Sequence, residues 1–179
     1  IKTDTDEIVF NDIIENSPAN VHSIVEIRNQ GKYLIASSEG LFIFSIEDYT
    51  IKKINETLTY CLFVDDDENL WISSEDGIYY TTFYNVEQNN LGETINEKSN
   101  IHSTIKKITQ TVDGAVWLIS NFKAYQIFSL NLSPIVYDQS IGLSGQKILS
   151  FFVDNEENIW FGYYGGVQKL TNKSLRVIY

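Results

Sequence analysis

Short apolar runs separated by polar turns recur along this chain in a fixed order. A run holding a Trp or Tyr is followed a few residues later by a chain-turning Gly and a second apolar run. The order reads Tyr33-Leu34-Ile35-Ala36 then Gly40-Leu41-Phe42-Ile43, Leu70-Trp71-Ile72-Ser73 then Gly77-Ile78-Tyr79-Tyr80, and Ile159-Trp160-Phe161-Gly162 then Gly166-Val167. A weaker copy, Val116-Trp117-Leu118-Ile119, leads into Ala124-Tyr125-Gln126 without the Gly. Self-similarity at roughly forty-residue spacing marks a repeat protein, and units that carry only strand signals point to a β-propeller.

The last copy shows the unit most fully. Ile148-Leu149-Ser150-Phe151-Phe152-Val153 is a nearly continuous apolar run, as expected of a strand covered on both faces. Asp154-Asn155-Glu156-Glu157-Asn158 follows as a hairpin turn, because Asp and Asn side chains hydrogen-bond the local backbone. The Trp160 strand, a tight turn at Gly165-Gly166, a strand from Val167 to Leu170 and an outer strand from Leu175 to Tyr179 complete an antiparallel meander. The other copies fit the same template. The polar stretch from Val86 to Ser99 is read as an extended loop around or within the second unit's outer strand. Glu7-Ile8-Val9-Phe10 is read as the outer strand of a preceding unit.

The expected fold is therefore all-β, a β-propeller with about four four-stranded antiparallel blades. Residues 21–57, 58–101, 102–140 and 141–179 form blades one to four, and residues 1–20 hold the outer strand of a preceding blade and its connection. A blade buries its apolar faces only against neighbours. Either the four blades close on themselves, or they are part of a larger, for example seven-bladed, propeller completed by further blades of the same protein or a second copy. Trp71, Trp117 and Trp160 hold a fixed place in their repeats, which assigns them to the core between blades rather than to a sugar-stacking platform.

The chain has 179 residues, 43% hydrophobic and 13% aromatic, enough for one sizeable core built on strands. A formal net charge of −11 works against any polyanion as partner, so neither nucleic acid nor direct membrane contact is expected. The single cysteine, Cys61, lies in the apolar run Tyr60-Cys61-Leu62-Phe63-Val64 and is read as a small buried hydrophobe. No apolar stretch approaches the ~20 residues that span a bilayer. With no initiator Met and no signal peptide, the chain is expected to be a piece of a longer protein whose membrane anchor lies elsewhere.

The turns Asp65-x-Asp67-x-Asn69 and Asp154-x-Glu156-x-Asn158 imitate the opening of a calcium loop, but the Gly and the distal bidentate Glu that such a loop needs are missing at the right places. They recur with the blade period and are read as hairpin turns, so no metal and no cofactor is expected. His22 and His102 stand at equivalent repeat positions, each followed by Ser, which reads as one turn type used twice; no catalytic residue is expected. Ligand contacts are expected on loops, at the face where each second-to-third-strand turn meets the start of the next inner strand. That face offers Glu39, Glu75, Asn121, Tyr163 and Tyr164, with His22, His102 and Gln146 on the neighbouring loops; Tyr163 and Tyr164 lead.

The stretch Gly142-Leu143-Ser144-Gly145-Gln146-Lys147-Ile148, continuing through Phe152-Val153-Asp154, Asn158-Ile159-Trp160-Phe161-Gly162 and Gly165-Gly166-Val167, resembles the two-component regulator propeller repeat. The second copy matches that pattern at Val64-Asp65, Asn69-Leu70-Trp71-Ile72 and Gly77-Ile78; Tyr33 replaces Trp in the first, and the third loses the later Gly. The resemblance implies paired propellers in the periplasmic sensory ectodomain of a bacterial membrane-anchored histidine kinase, often a hybrid one. It implies a dimeric, non-enzymatic module sensing a breakdown product of complex carbohydrate, an oligosaccharide. A protein-interaction scaffold and a secreted propeller lyase or hydrolase are the alternatives.

Overall fold

Apolar runs separated by polar turns build antiparallel meanders one after another. The computed structural model describes residues 14, 16–171 and 174–178. The first sheet orders β1 (Val21–Ile27), β2 (Lys32–Ser37), β3 (Gly40–Ser45) and β4 (Thr50–Asn55) as β1-β2-β3-β4. The second holds β5 (Thr59–Val64), β6 (Leu70–Ser74) and β7 (Ile78–Thr81). The third holds β8 (Ile105–Gln110), β9 (Val116–Ser120), β10 (Ala124–Ile127) and β11 (Ile135–Tyr137), and the fourth β12 (Ser150–Val153), β13 (Ile159–Tyr163), β14 (Gly166–Thr171) and β15 (Ser174–Ile178). The strand proposed at Glu7–Phe10 lies outside the described residues.

Consecutive sheets pack face to face, and the core is a series of layers between them. Leu34, Ala36, Leu41 and Ile43 of the first sheet meet Leu62, Leu70 and Ile72 of the second. Trp71 and Ile78 on the second sheet's other face meet Ile105, Ile108, Val116 and Leu118 of the third. Trp117 and Ile119 then meet Phe151, Ile159 and Phe161 of the fourth. Each Trp strand thus sends alternate residues into the layers before and behind it, which is why these strands read as unbroken apolar runs. Burial raises the Cys61 thiol to about 11, leaving it protonated and inert at neutral pH.

Polar ties run from sheet to sheet along the first strands. The Leu62 amide donates to Ser23 Oγ at 3.2 Å, Ser73 Oγ donates to the Ile105 carbonyl at 2.9 Å, and Lys107 Nζ donates to the Phe151 carbonyl at 2.6 Å. With β1 beside β5 and β5 beside β8, the first strand of each sheet is the inner one. Four repeated meanders packed face to face with their inner strands adjacent are the blades of a β-propeller.

The acidic turns have a structural role. Asp65 Oδ1 accepts from the amides of Asp67 (3.1 Å) and Asn69 (2.8 Å), and Oδ2 accepts from the Trp71 indole at 3.0 Å. Asp154 repeats this with Glu156 (3.0 Å), Asn158 (2.8 Å) and the Trp160 indole (2.8 Å). One carboxylate closes the hairpin and neutralises the buried donor of the Trp behind it. The Trp160 hydrogen bond above all, opposed by desolvation and aided by Asn158, holds the Asp154 carboxyl down at about 2. Because the folded value is depressed, its stabilisation is complete above the ordinary aspartate value of ~4 and lost as pH falls through the folded value. Acid unfolding followed by Trp fluorescence is expected to show a loss of stability between about pH 4 and pH 2, and Asp154→Asn is expected to flatten that segment.

One element departs from the expected meander. The second sheet has three described strands, and the segment read as an extended loop around an outer strand instead forms α1 (Phe83–Glu87) and α2 (Asn96–Ser99). Only Tyr79 and Thr94 form a bridge there. Thr82 caps α1 by accepting from the Asn85 amide, and Phe83 and Val86, on one helical face, are buried in the layer between the first and second sheets. Two apolar side chains at helical spacing within a polar segment decide the outcome. In the third repeat Lys123 stands where Gly40 and Gly77 stand in the second-to-third-strand turns of the first two, and the same serine closes the turn: Ser120 Oγ donates to the Lys123 carbonyl at 3.0 Å as Ser37 does to Gly40 (3.1 Å) and Ser74 to Gly77 (3.3 Å).

Candidate functional site

The ladder between inner and second strand is interrupted at the same place in the first three blades. The register shifts between Val21 and Ser23, between Thr59 and Cys61, and between Ile105 and Lys107. The residue left unpaired is His22 in β1, Tyr60 in β5 and Lys106 in β8. A bulge releases one residue from the ladder and re-aims its side chain, and repeating it in neighbouring inner strands aims successive side chains at one another.

The three side chains form a row across the blades. The His22 and Tyr60 rings lie 6.3 Å apart and 18° from parallel, and Lys106 Nζ sits 3.5 Å from the centroid of the Tyr60 ring, a cation–π contact. His22 Nδ1 lies 2.8 Å from the Thr59 carbonyl. Since a carbonyl only accepts, Nδ1 carries the proton and Nε2 presents a lone pair when the ring is neutral. Desolvation, then repulsion from Lys147, holds the Lys106 ammonium below the usual lysine value.

Around this row opens a cleft of about 470 Å³ lined by His22, Ser38, Leu58, Tyr60 and Lys106. Ser38 comes from the second-to-third-strand turn of blade one and Leu58 from the approach to blade two. The turn is fixed in place: Ala19 N donates to Glu39 Oε1 at 3.1 Å, Asn20 Nδ2 donates to Ser38 Oγ at 3.3 Å, and in blade two the Glu75 amide donates to the Leu58 carbonyl at 2.8 Å. The cleft therefore combines an aromatic ring, an aliphatic wall, a hydroxyl, an imidazole acceptor and a cation on a rigid frame. This mixture suits a small ligand with both apolar and hydroxyl-bearing surface.

Of the residues singled out from the sequence, His22 lines the cleft, and Glu39 and Glu75 stand on the turns that frame it. Asn121 anchors the approach to blade four, its carbonyl accepting from the Ile148 amide at 2.7 Å. Gln146 is exposed, its amide donating to Ser144 Oγ at 3.2 Å. His102 is exposed and pairs with Asn100 Oδ1 at 3.1 Å rather than with His22. Tyr163 and Tyr164 separate: Tyr164 is 89% exposed, whereas Tyr163 packs against the blade three–four core. The Tyr163 hydroxyl donates to Gln168 Oε1 at 3.0 Å, and burial pushes it up to about 12. Gln168, itself buried, also accepts from the Ser144 amide at 3.0 Å and donates to the Gly142 carbonyl at 2.7 Å, tying that loop to β14.

Tyr60, Lys106, Leu58 and Ser38 were not among the expected residues. A signal for the first two exists in the chain: the second position of the inner strand is bulky and polar in three repeats, His22, Tyr60 and Lys106, where a doubly covered strand should be apolar.

No protein-family model matches the chain, and no curated protein matches its sequence. Solved structures match its fold. It is similar to the extracellular domain of a hybrid two component system from B. thetaiotaomicron, with 19% identity and a TM-score of 0.71 over 88% of this chain and 23% of that one. A second such domain from that organism gives 14% identity and a TM-score of 0.73 over 94% and 23%. Virginiamycin B lyase from Staphylococcus aureus gives 15% identity and a TM-score of 0.65 over 92% and 57%. The chain thus spans about a quarter of the length of the two ectodomains it matches. At these identities the likeness is one of fold.

Proposed function

We propose that the chain is part of the ligand-sensing, extracytoplasmic propeller of a membrane-anchored two-component signalling protein, and that its ligand is an oligosaccharide released from a complex carbohydrate. The likeness of fold to two such ectodomains supports the setting. The observation that carries the ligand-sensing part is the convergence of His22, Tyr60 and Lys106 from three blades on one cleft.

The reading is non-enzymatic. The His22 ring is spent on a carbonyl and an aromatic neighbour rather than on a nucleophile and an orienting acid. Signalling then requires that the ligand bind one arrangement of a dimer more tightly than another, since only differential affinity shifts an equilibrium. The last blade supports completion by further blades of the same protein. Phe152 and Val167 are exposed at 62% and 43%, and Trp160 is half-buried although its counterparts Trp71 and Trp117 are covered by a following blade. A second, enzymatic reading draws on the likeness to the lyase; turnover of a polysaccharide by the purified chain would decide for it.

Thermal-shift screening of the chain against a panel of di- to tetrasaccharides is the test. At least one sugar is expected to raise the melting temperature, and Tyr60→Ala is expected to abolish that shift while lowering the unliganded midpoint modestly, because the half-buried Tyr60 also packs against the layer between the second and third sheets. No shift with any sugar, together with stoichiometric capture of a protein partner, would favour the scaffold instead.

A further inference from the structure

The chain is acidic overall, with a formal charge of −11, yet the charged residue that lines the proposed cleft is a lysine. Lys106 stands on its wall, and Lys147, on the approach to blade four, is near enough to repel it. Neither takes part in the ion pairs of the described residues, which join Lys32 to Glu87, Lys53 to Glu56 and Lys123 to Asp138. Of the acids on the framing turns, Glu39 directs Oε1 to the Ala19 amide. Lys106 is instead laid on the Tyr60 ring, a contact that orients an ammonium without neutralising it. The cleft thus presents an ammonium that none of the ion pairs among the described residues engages, a place for a ligand that brings the negative charge.

The rest of the lining narrows the ligand. Ser38 and the His22 Nε2 lone pair are partners for hydroxyl groups, and Leu58 and the edge of Tyr60 offer apolar contact to ring C–H groups. We propose that the cleft binds an acidic sugar, a uronate, with its carboxylate on Lys106 and its hydroxyls on His22 and Ser38. This rests on the sensing role proposed above and goes further, in assigning the class of sugar and the residues that select it.

Calorimetric titration of the chain with uronate disaccharides, each paired with its carboxyl-reduced counterpart, tests the assignment, because reduction removes the charge and keeps the ring. The uronate is expected to bind at least tenfold tighter than its reduced partner. The preference should collapse in 0.5 M salt, disappear in Lys106→Gln, weaken in Lys147→Gln and survive in Lys106→Arg. Lys106 is exposed, so the Gln variant should fold as the parent does, which circular dichroism checks. Equal binding of charged and reduced sugars would overturn the uronate assignment and leave the sensing role standing. Equally tight binding of succinate would also overturn it, by removing the sugar. Binding of no sugar at all would fell both.

Discussion

Phe161→Ala is expected to lower the stability of the chain by about 4 kcal/mol, the range for truncating a fully buried Phe. Phe161 has no exposed surface and lies in the layer between blades three and four, its ring 5.3 Å from that of Phe151 in an edge-to-face contact. No flexible neighbour is placed to fill the space, since Trp117 and Ile159 are held by their strands and Leu143 and Ile148, on the segment leading into β12, are themselves buried. Blades are stabilised by their interfaces with neighbours, so the loss should also uncouple blade four and broaden the urea transition. Equilibrium unfolding in urea reads both effects. A cost under about 1 kcal/mol, typical of a surface site, would mean that the layer between the sheets does not carry the fold.

Asp65→Ala is expected to cost about 3 kcal/mol, as a charged acceptor is removed from several donors and one of them, the Trp71 indole N–H, is left buried. Trp71 is only 3% exposed, so water cannot replace the lost partner. The third blade already carries the defect. Thr111 occupies the place of Asp65 and Asp154, and the Trp117 indole is buried without a partner among the described residues. Thr111 uses its hydroxyl on Asp113 and the Ala115 carbonyl instead. Thr111→Asp is therefore expected to stabilise by about 1 kcal/mol, and Trp117→Phe to cost less than Trp71→Phe. Thermal unfolding of the four variants checks the ordering, and a Trp71→Phe no more costly than Trp117→Phe would contradict the role given to the acid.

The blades could be read from the chain because each Trp strand is apolar on both faces and each hairpin carries its acid at a fixed distance before the Trp. Both features are local, and both follow from stacking identical sheets. The helices between Thr82 and Ser99 were hidden because a short helix docked by two apolar side chains, Phe83 and Val86, has almost no periodic signal inside a polar stretch. The cleft was half readable. The fall of the turns points to its face and to His22, whereas the loop position of Tyr163 gives no sign that Gln168, a buried amide partner in the next strand, draws its hydroxyl inward. Tyr60 and Lys106 belong to inner strands, and only the bulge turns them towards the mouth, a backbone event that a run such as Tyr60-Cys61-Leu62-Phe63 does not announce.

In the proposed function three residues from separate blades act as one binding surface. Amide and side-chain chemical-shift mapping during titration with a sugar selected by the thermal-shift screen tests this most directly. The prediction is that the shifts concentrate at His22, Ser38, Leu58, Tyr60 and Lys106 and leave His102 and Tyr164 unmoved. Shifts centred instead on the separate cleft of about 410 Å³ beside Tyr80, Glu93 and Asn131, with the His22–Tyr60–Lys106 row silent, would contradict it.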